Sequence, residues 1–151
     1  MQIVIRKAER QLVLMDGENR LFACRIALGR EPEGAKRMQG DGRTPEGDYF
    51  ICLVKEQGKY GRSLGLSYPS PQDAQLAFSE GRIDERTLQN TKAAHSERRR
   101  PPWGSPMGGE IYIHEGGSSS DWTQGCIALD EQDMDVLFPY HAQVKDVLIL
   151  P

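Results

Sequence analysis

The sequence predicts a mainly β fold, in which short strands and a few short helices build a sandwich or a barrel-like domain. Short apolar runs recur along the chain, turn-favouring residues separate them, and few segments carry the signals of a helix. The length of 151 residues suffices for one hydrophobic core. The chain has no repeat, low-complexity tract or linker, so we expect residues 1–151 to form a single domain.

The start of the chain is predicted to be a β-meander of three strands. Apolar runs at residues 3–5, 12–15 and 21–28 have the length and composition of strands. The sequence D-G-E-N at residues 16–19 is typical of a hairpin turn and lies between the second and third runs.

A loop then leads to the next strands. Residues 30–43 have no hydrophobic periodicity and contain three glycines, which predicts a long, mobile loop. The turn sequence T-P-E-G at residues 44–47 precedes an apolar run at 48–54, which predicts a buried strand. A further short strand is predicted at residues 64–68.

Two helices are predicted in the middle of the chain. Ser70 is a suitable N-cap, Pro71 suits the first helical position, and Gly81 is expected to end the first helix. A second, more polar helix is predicted between residues 84 and 95. Residues 96–109 are too rich in proline and glycine for regular structure.

The next segment pairs two short strands around a polar loop. Residues 110–114 alternate as a strand, which places Tyr112 and His114 on one face. Residues 115–124 form a loop rich in glycine and serine, and residues 125–129 are predicted to be the following strand.

The chain is predicted to close with a helix and a strand. Asp130 is the expected N-cap, and Met134 and Leu137 have the spacing of one helix face. Pro139 is expected to stop this helix. Residues 144–150 are predicted to be the closing strand.

Composition restricts the classes of function. The net charge of −3 and the pI near 5.6 give no support for nucleic-acid binding, and no apolar run has the length of a membrane span. The histidines are far apart and the chain has no C-x-x-C spacing, so we expect no metal. No phosphate or dinucleotide motif indicates a cofactor.

The cysteines and the N-terminus favour a reducing compartment. The odd count of three cysteines argues against a disulfide framework, and Cys24 and Cys52 are interpreted as core residues of strands. The first residues lack the apolar segment of a secretory signal. We therefore expect a cytoplasmic monomer, or a periplasmic or cell-envelope protein if a leader preceding Met1 has been removed.

Cys126 and His114 form the candidate catalytic pair. They lie at the ends of two predicted neighbouring strands, which can bring an imidazole close to a thiol. A paired imidazolium lowers the pKa of a thiol and supplies thiolate. Gly125 permits close approach of a ligand, and the amides of Gly125 and Cys126 are candidate oxyanion donors. Taken alone, however, a Gly-Cys-Ile strand is more often structural than catalytic, and a lone histidine is as often a hydrogen-bonded strand residue.

A resemblance to a known family strengthens the catalytic interpretation. The sequences I-Y-I-H-E-G-G at residues 111–117 and T-Q-G-C-I-A-L at 123–129 resemble the signature of the L,D-transpeptidase catalytic domain of the YkuD type. T-P-E-G-D-Y-F-I at residues 44–51 is similar to an upstream segment of that family, and R-Q-L-V-L-M-D-G-E at 10–18 and I-A-L-G at 26–29 are similar to its start. The resemblance covers most of the chain and implies the YkuD-like β-sandwich.

The resemblance also implies roles for individual residues. Cys126 corresponds to the nucleophile and His114 to its base. A backbone carbonyl usually orients the imidazole in the family, and Glu115 and Gly116 are the nearest candidates. Gly125 belongs to the turn that presents the thiol.

Two positions depart from the family pattern. Gln124 replaces the family's histidine before Gly-Cys, and Ala128 replaces an arginine that commonly follows the cysteine. The T-Q-G-C-I-A-L form resembles a sub-branch with L,D-endopeptidase-like members, so classical crosslinking is in doubt. Without that arginine, recognition of substrate carboxylates must come from other residues.

Several residues are candidates for substrate binding. Arg99 and Arg100 in the arginine run at 98–100 have guanidinium groups that suit carboxylates, although a solvated loop is an equally good interpretation. Tyr68, in a segment similar to the family's substrate groove, either lines the cleft or belongs to the core. The remaining candidates are Trp103, Thr123 and Gln124.

The implied function is acyl transfer on peptidoglycan stem peptides or muropeptides. The acceptor is either water, in an L,D-carboxypeptidase that trims tetrapeptide to tripeptide, or an amine, in an L,D-transpeptidase. A cytoplasmic member would meet precursors and recycled muropeptides, which favours hydrolysis in murein recycling. The alternatives are a non-catalytic peptidoglycan-binding module and an interaction domain with an inert Cys126. Slow alkylation of Cys126 at neutral pH would support the interaction domain.

Overall fold

The computed structural model describes residues 1–151 and confirms a mainly β fold with a few short helices. The strands are β1 (Gln2–Arg6), β2 (Gln11–Asp16), β3 (Asn19–Arg25), β4 (Gly47–Tyr49), β5 (Ile51–Gly58), β6 (Gly61–Leu66), β7 (Tyr112–His114), β8 (Ile127–Ala128) and β9 (Asp146–Leu150). The helices are α1 (Pro71–Ser79), α2 (Glu85–Ser96), α3 (Glu131–Leu137) and a 3-10 helix (Phe138–Gln143). No helix has the length and apolar character needed to cross a lipid bilayer.

The larger sheet has five strands in the order β3-β2-β1-β9-β4. β1 to β3 form the predicted meander. β9 pairs in parallel with β1 and antiparallel with β4, so it lies between strands from the start and the middle of the chain. Ile3, Ile5, Val147 and Ile149 are buried because alternate residues of these strands face the core.

The smaller sheet has four strands in the order β5-β6-β7-β8, and its last two are short. β7 and β8 are parallel, with Ile113 paired to Ile127 and His114 paired to Ala128. Cys126 directly precedes β8, two residues before the partner of His114. Since alternate residues share a face, this register places the side chains of His114 and Cys126 diagonally on one face of the sheet.

The main core lies between the sheets and contains buried residues from both, together with residues of α3. Its fully buried side chains include Leu12, Leu14, Leu64, Leu66, Ile113, Ile127 and Met134. A second, smaller cluster lies under α1 and α2 and contains Ala74, Ala77, Ile83, Leu88 and Met107. The loop around Met107 is therefore anchored by apolar packing.

The predicted helix starts are confirmed. The Ser70 hydroxyl accepts the Asp73 amide at 3.0 Å, and the Asp73 carboxylate accepts the Ser70 amide at 2.8 Å, which is a capping box. The Asp84 carboxylate accepts the Thr87 amide at 2.8 Å and caps α2.

The single strand predicted at residues 48–54 is wrong. The chain instead forms β4 and β5, which belong to different sheets. The crossing occurs at Phe50, whose amide donates to the Ser67 hydroxyl and whose carbonyl accepts the Ser67 amide, both at 2.9 Å. This local pairing satisfies the backbone where the chain leaves one sheet for the other.

Other predicted boundaries also differ. Pro139 does not stop the helical conformation, because it occupies the first turn of the 3-10 helix, where a missing amide proton costs no hydrogen bond. The strand predicted at 125–129 is reduced to β8, and the strand predicted at 64–68 is β6, shifted towards the N-terminus. The strand predicted at 110–114 begins at Tyr112.

Candidate active site

A cleft of about 280 Å³ opens where the smaller sheet meets the loops around it. Its floor contains the ends of β7 and β8, and its sides come from three segments distant in sequence. The lining residues are Arg30, Lys36, Gln39, Gly40, Lys59, Tyr60, Trp103, Gly109, Glu110, Ile111, His114, Trp122, Thr123, Gln124 and Cys126. The two predicted catalytic residues therefore share this cleft.

The half-buried thiol of Cys126 is held by backbone groups of the neighbouring strand. Sγ accepts the Tyr112 amide at 3.4 Å and donates to the Glu110 carbonyl at 3.5 Å. Burial raises the pKa of the Cys126 thiol, while the Tyr112 amide and the charge of Lys36 act in the lowering direction. The thiol is thus protonated at neutral pH in the resting protein.

Cys24 and Cys52 lie in different surroundings from Cys126. Burial raises the pKa of Cys24 to about 12 and that of Cys52 to about 11, and neither residue lines the cleft. Sγ of Cys126, by contrast, has two backbone partners on the neighbouring segment. Cys126 is therefore the one thiol that substrate can reach beside a base.

A tight turn presents Cys126 to the cleft. Gly125 has a φ of +138°, and a Cβ at this position would lie 2.7 Å from the Arg43 carbonyl oxygen, so no larger residue fits. The Thr123 hydroxyl accepts the Gly125 amide at 3.1 Å and donates to the Cys126 carbonyl at 2.7 Å. Thr123 therefore fixes the turn from within.

Of the two expected oxyanion donors, the amides of Gly125 and Cys126, one already has an acceptor within this turn. The Gly125 amide already donates to the Thr123 hydroxyl. The Cys126 amide donates no hydrogen bond within the chain. The Cys126 amide therefore remains available for a developing oxyanion.

His114 is oriented by its own backbone neighbourhood. Its Nδ1 contacts the carbonyl oxygen of Glu115, and because a carbonyl only accepts, Nδ1 carries the proton and Nε2 is the basic nitrogen. The Glu115 side chain turns away and binds Arg62 through Nε at 3.1 Å and Nη2 at 3.0 Å. Of the two predicted orienting carbonyls, Glu115 makes the contact and Gly116 does not.

Burial also determines the protonation state of His114. It lowers the pKa of the imidazole below its ordinary value, and the hydrogen bond to Glu115 opposes this only in part. The neutral imidazole therefore faces a protonated thiol. Burial thus favours the neutral form of both groups and acts against the imidazolium–thiolate pair that the sequence suggests.

Two aromatic residues that sequence reasoning missed surround the imidazole. The Tyr60 ring stacks on His114 at 4.8 Å between centroids, and Trp122 meets His114 edge-on at 5.7 Å. A Cβ on Gly116 would lie 2.7 Å from the Trp122 ring, so glycine is needed for this approach. The Trp122 Nε1 donates to the Gly117 carbonyl at 3.0 Å. The sequence did offer a signal for Tyr60 and Trp122, since each is an aromatic residue in a loop flanked by glycines.

The loop at residues 30–43 is organised by Asp41. The Asp41 carboxylate accepts the amides of Arg37, Met38 and Arg43 at 2.8 to 3.1 Å and the ammonium of Lys36 at 3.1 Å. These bonds lower the pKa of Asp41 against the opposing effect of burial. The predicted irregular loop is confirmed, and its side chains form one side of the cleft.

The predicted substrate-binding residues separate into two groups. Trp103, Thr123 and Gln124 line the cleft. Tyr68 does not line it, because it is fully buried in the core, where its hydroxyl donates to the Met107 carbonyl at 2.7 Å.

Arg99 and Arg100 also lie outside the cleft. Arg99 pairs with Glu97 on the surface, and the Arg100 guanidinium lies 5.0 Å from the ring centroid of Trp103. For this arginine run, the structure favours the alternative of a solvated surface loop over a place in the catalytic cleft. The cleft's cations are Arg30, Lys36 and Lys59.

The described residues offer no group of three or more His, Cys, Asp or Glu side chains placed to hold a metal ion. The chemistry of the cleft is accordingly that of a thiol, an imidazole, a free amide and three cationic side chains.

Solved structures share this fold. The helical cell shape determining protein Pgp2 of Campylobacter jejuni has 21% identity and a TM-score of 0.67, covering 98% of this chain and 46% of that chain. Bd1075 of Bdellovibrio bacteriovorus has 20% identity and a TM-score of 0.57, covering 98% and 46%. An L,D-transpeptidase of Xylanimonas cellulosilytica has 12% identity and a TM-score of 0.55, covering 99% and 59%.

These structural likenesses, all at low identity, establish the fold. The chain spans about half the length of the first two structures. No curated protein matches the chain in sequence. The family model of the YkuD L,D-transpeptidase catalytic domain matches residues 1–149. Because this match covers almost the whole chain, the chain belongs to the L,D-transpeptidase catalytic domain family of the YkuD type.

Proposed function

We propose that the chain transfers acyl groups at the L,D bond between diaminopimelate and D-Ala in peptidoglycan stem peptides. The observation that carries the proposal is the shared cleft of Cys126 and His114, in which the Glu115 carbonyl holds the proton of Nδ1. Nε2 is thereby left as a base next to a reachable thiol. Membership of the family supports the peptidoglycan substrate.

Acylation begins from the neutral pair. As Sγ of Cys126 attacks the peptide carbonyl, its proton passes to Nε2 of His114, and the oxyanion is stabilised by the Cys126 amide. The tetrahedral adduct collapses when the carbon–nitrogen bond breaks. His114 returns the proton to the departing amine, and the acyl group remains on Cys126 as a thioester.

Deacylation reverses the proton path. Nε2 takes a proton from the acceptor as the acceptor attacks the thioester, and then returns it to Sγ. With water as acceptor the product is a tripeptide, which is the L,D-carboxypeptidase reaction. With an amine as acceptor a new amide forms, which is the transpeptidase reaction. We propose the hydrolytic reaction as the principal one, since the departures at Gln124 and Ala128 put the crosslinking role in doubt.

The test is incubation of the protein with a peptidoglycan tetrapeptide, with and without excess D-methionine, followed by mass spectrometry. Loss of D-Ala alone would identify the carboxypeptidase, and exchange of D-Ala for D-methionine would identify an acyl-enzyme that accepts amines. The Cys126→Ala variant is expected to do neither, and Cys52→Ala is the matched control with full activity.

A third outcome would contradict the proposal. If the tetrapeptide shows no Cys126-dependent change under either condition, the chain does not catalyse this reaction. Binding of the intact tetrapeptide in that case would favour the non-catalytic peptidoglycan-binding module.

A further inference from the structure

The cleft is positively charged although the whole chain has a net charge of −3. Arg30, Lys36 and Lys59 line it, with Glu110 as the one acid. Lys36 has its own partner, since its ammonium lies 3.1 Å from the Asp41 carboxylate. Arg30 and Lys59 form no salt bridge with the chain and are exposed. Two cationic groups are thus free to meet a ligand.

These two cations flank the aromatic residues that cover His114. The Arg30 Nε donates to the Trp122 carbonyl at 3.3 Å, which leaves its terminal nitrogens free. The Lys59 ammonium lies 5.2 Å from the centroid of the Tyr60 ring. Because Tyr60 and Trp122 are themselves in contact, with centroids 5.2 Å apart, both cations adjoin one continuous aromatic surface.

The direction of proton transfer places the departing residue on this surface. His114 must reach the nitrogen of the leaving group to protonate it. The residue attached to that nitrogen therefore lies on the imidazole side of Cys126, where Arg30 and Lys59 are. An α-carboxylate one residue beyond the scissile bond would then meet a guanidinium or an ammonium.

Position 128 gives no alternative partner for this carboxylate. Ala128 is fully buried, and its amide and carbonyl pair with Ala27. Arg99 and Arg100 lie outside the cleft, as described above. Within the cleft, Arg30 and Lys59 are therefore the cations without an acidic partner.

We propose that Arg30 and Lys59 are specificity-determining residues that hold the free α-carboxylate of the departing residue. The inference rests on the proposed function. It defines the donor as a peptide whose chain ends one residue after the scissile bond in a carboxylate, and it excludes donors that are amidated or extended there.

The test compares two peptides that differ only at the C-terminus, the free acid and the carboxamide. The wild-type protein is expected to favour the acid by about 10- to 100-fold in kcat/KM, the effect of a hydrogen bond to a charged group. Arg30→Gln and Lys59→Gln should each lower kcat/KM for the acid by about tenfold and leave the amide unchanged. Arg99→Gln is the matched control and should leave both values unchanged.

The ratio of acid to amide separates recognition from folding, because a variant that merely disturbs the fold lowers both rates. A wild-type ratio near one, or a ratio unchanged in both variants, would overturn this inference while turnover of the acid sustains the proposed function. Absence of turnover with either peptide would overturn the proposed function and this inference with it.

Discussion

The floor and the rim of the cleft differ in burial and in charge. The floor, His114, Thr123 and Cys126, is buried or half-buried, and its hydrogen bonds run to backbone groups. The rim, Arg30 and Lys59, is exposed and charged. Burial favours the neutral forms of the reacting groups, whereas the cationic side chains of the rim lie in water. The comparison teaches that the proposed reaction and the proposed recognition use two different environments of one cleft.

Among changes to the floor of the cleft, replacing Cys126 should lower turnover the most. Cys126→Ala removes the nucleophile, and we expect turnover of the tetrapeptide to fall by more than about 10⁴-fold. The measurement is release of D-Ala under saturating substrate. Cys24→Ala and Cys52→Ala remove thiols outside the cleft and should retain turnover; equal losses in all three would show that the cysteines act only through the fold.

Replacing His114 should have the next largest effect. His114→Gln keeps a polar side chain but removes the base, and we expect kcat to fall by about 10²- to 10⁴-fold. Substrate affinity should change little, because the rim is intact. Steady-state kinetics separate the two quantities, and a rise in KM with unchanged kcat would assign His114 to binding instead.

The pH dependence of alkylation tests whether the Cys126 thiol is protonated at neutral pH. Because burial raises the pKa of Cys126 and lowers that of His114, the thiolate fraction is small at neutral pH. The rate of iodoacetamide alkylation at Cys126 should rise about tenfold per pH unit above pH 7, until the thiol pKa is reached. A fast plateau between about pH 5 and 7 would instead reveal an imidazolium–thiolate pair. Slow alkylation at neutral pH is therefore compatible with catalysis, contrary to the expectation from sequence.

Tyr60 links the floor to the rim, and its replacement should have the smallest effect. Tyr60→Leu exposes one face of His114 to water, which raises the imidazole pKa and moves the acidic limb of the kcat profile to higher pH. We expect a loss of at most about fourfold at pH 6 and almost none at pH 8. Tyr60→Phe preserves the stacking and is the control; an equal loss in both variants would implicate the hydroxyl.

The residues of the floor were predictable from sequence, and those of the rim were not. Cys126 and His114 lie in short motifs whose spacing and strand context are local properties. Arg30 and Lys59 lie in irregular segments, where periodicity carries no information about position. They reach the cleft only because the sheets bring distant loops together.

Local sequence does not determine where these segments lie in the fold. Arg99 and Arg100 are candidates for carboxylate binding by their chemistry alone, and the chain places them outside the catalytic cleft, beside Pro101 and Pro102. The run at residues 48–54 has one continuous strand pattern, so the exchange of sheets at Phe50 is a tertiary event that the pattern does not encode. The single domain over residues 1–151 stays a prediction.

The position of β9 has a consequence for how the protein is made. β4 is joined to the rest of its sheet only through β9, the last strand of these residues to leave the ribosome. During synthesis the sheet therefore lacks the strand between β1 and β4, and both of these strands offer open edges to other chains. The order of synthesis delays completion of the core until residues 146–150 emerge, so a pause before them would expose the nascent chain to aggregation.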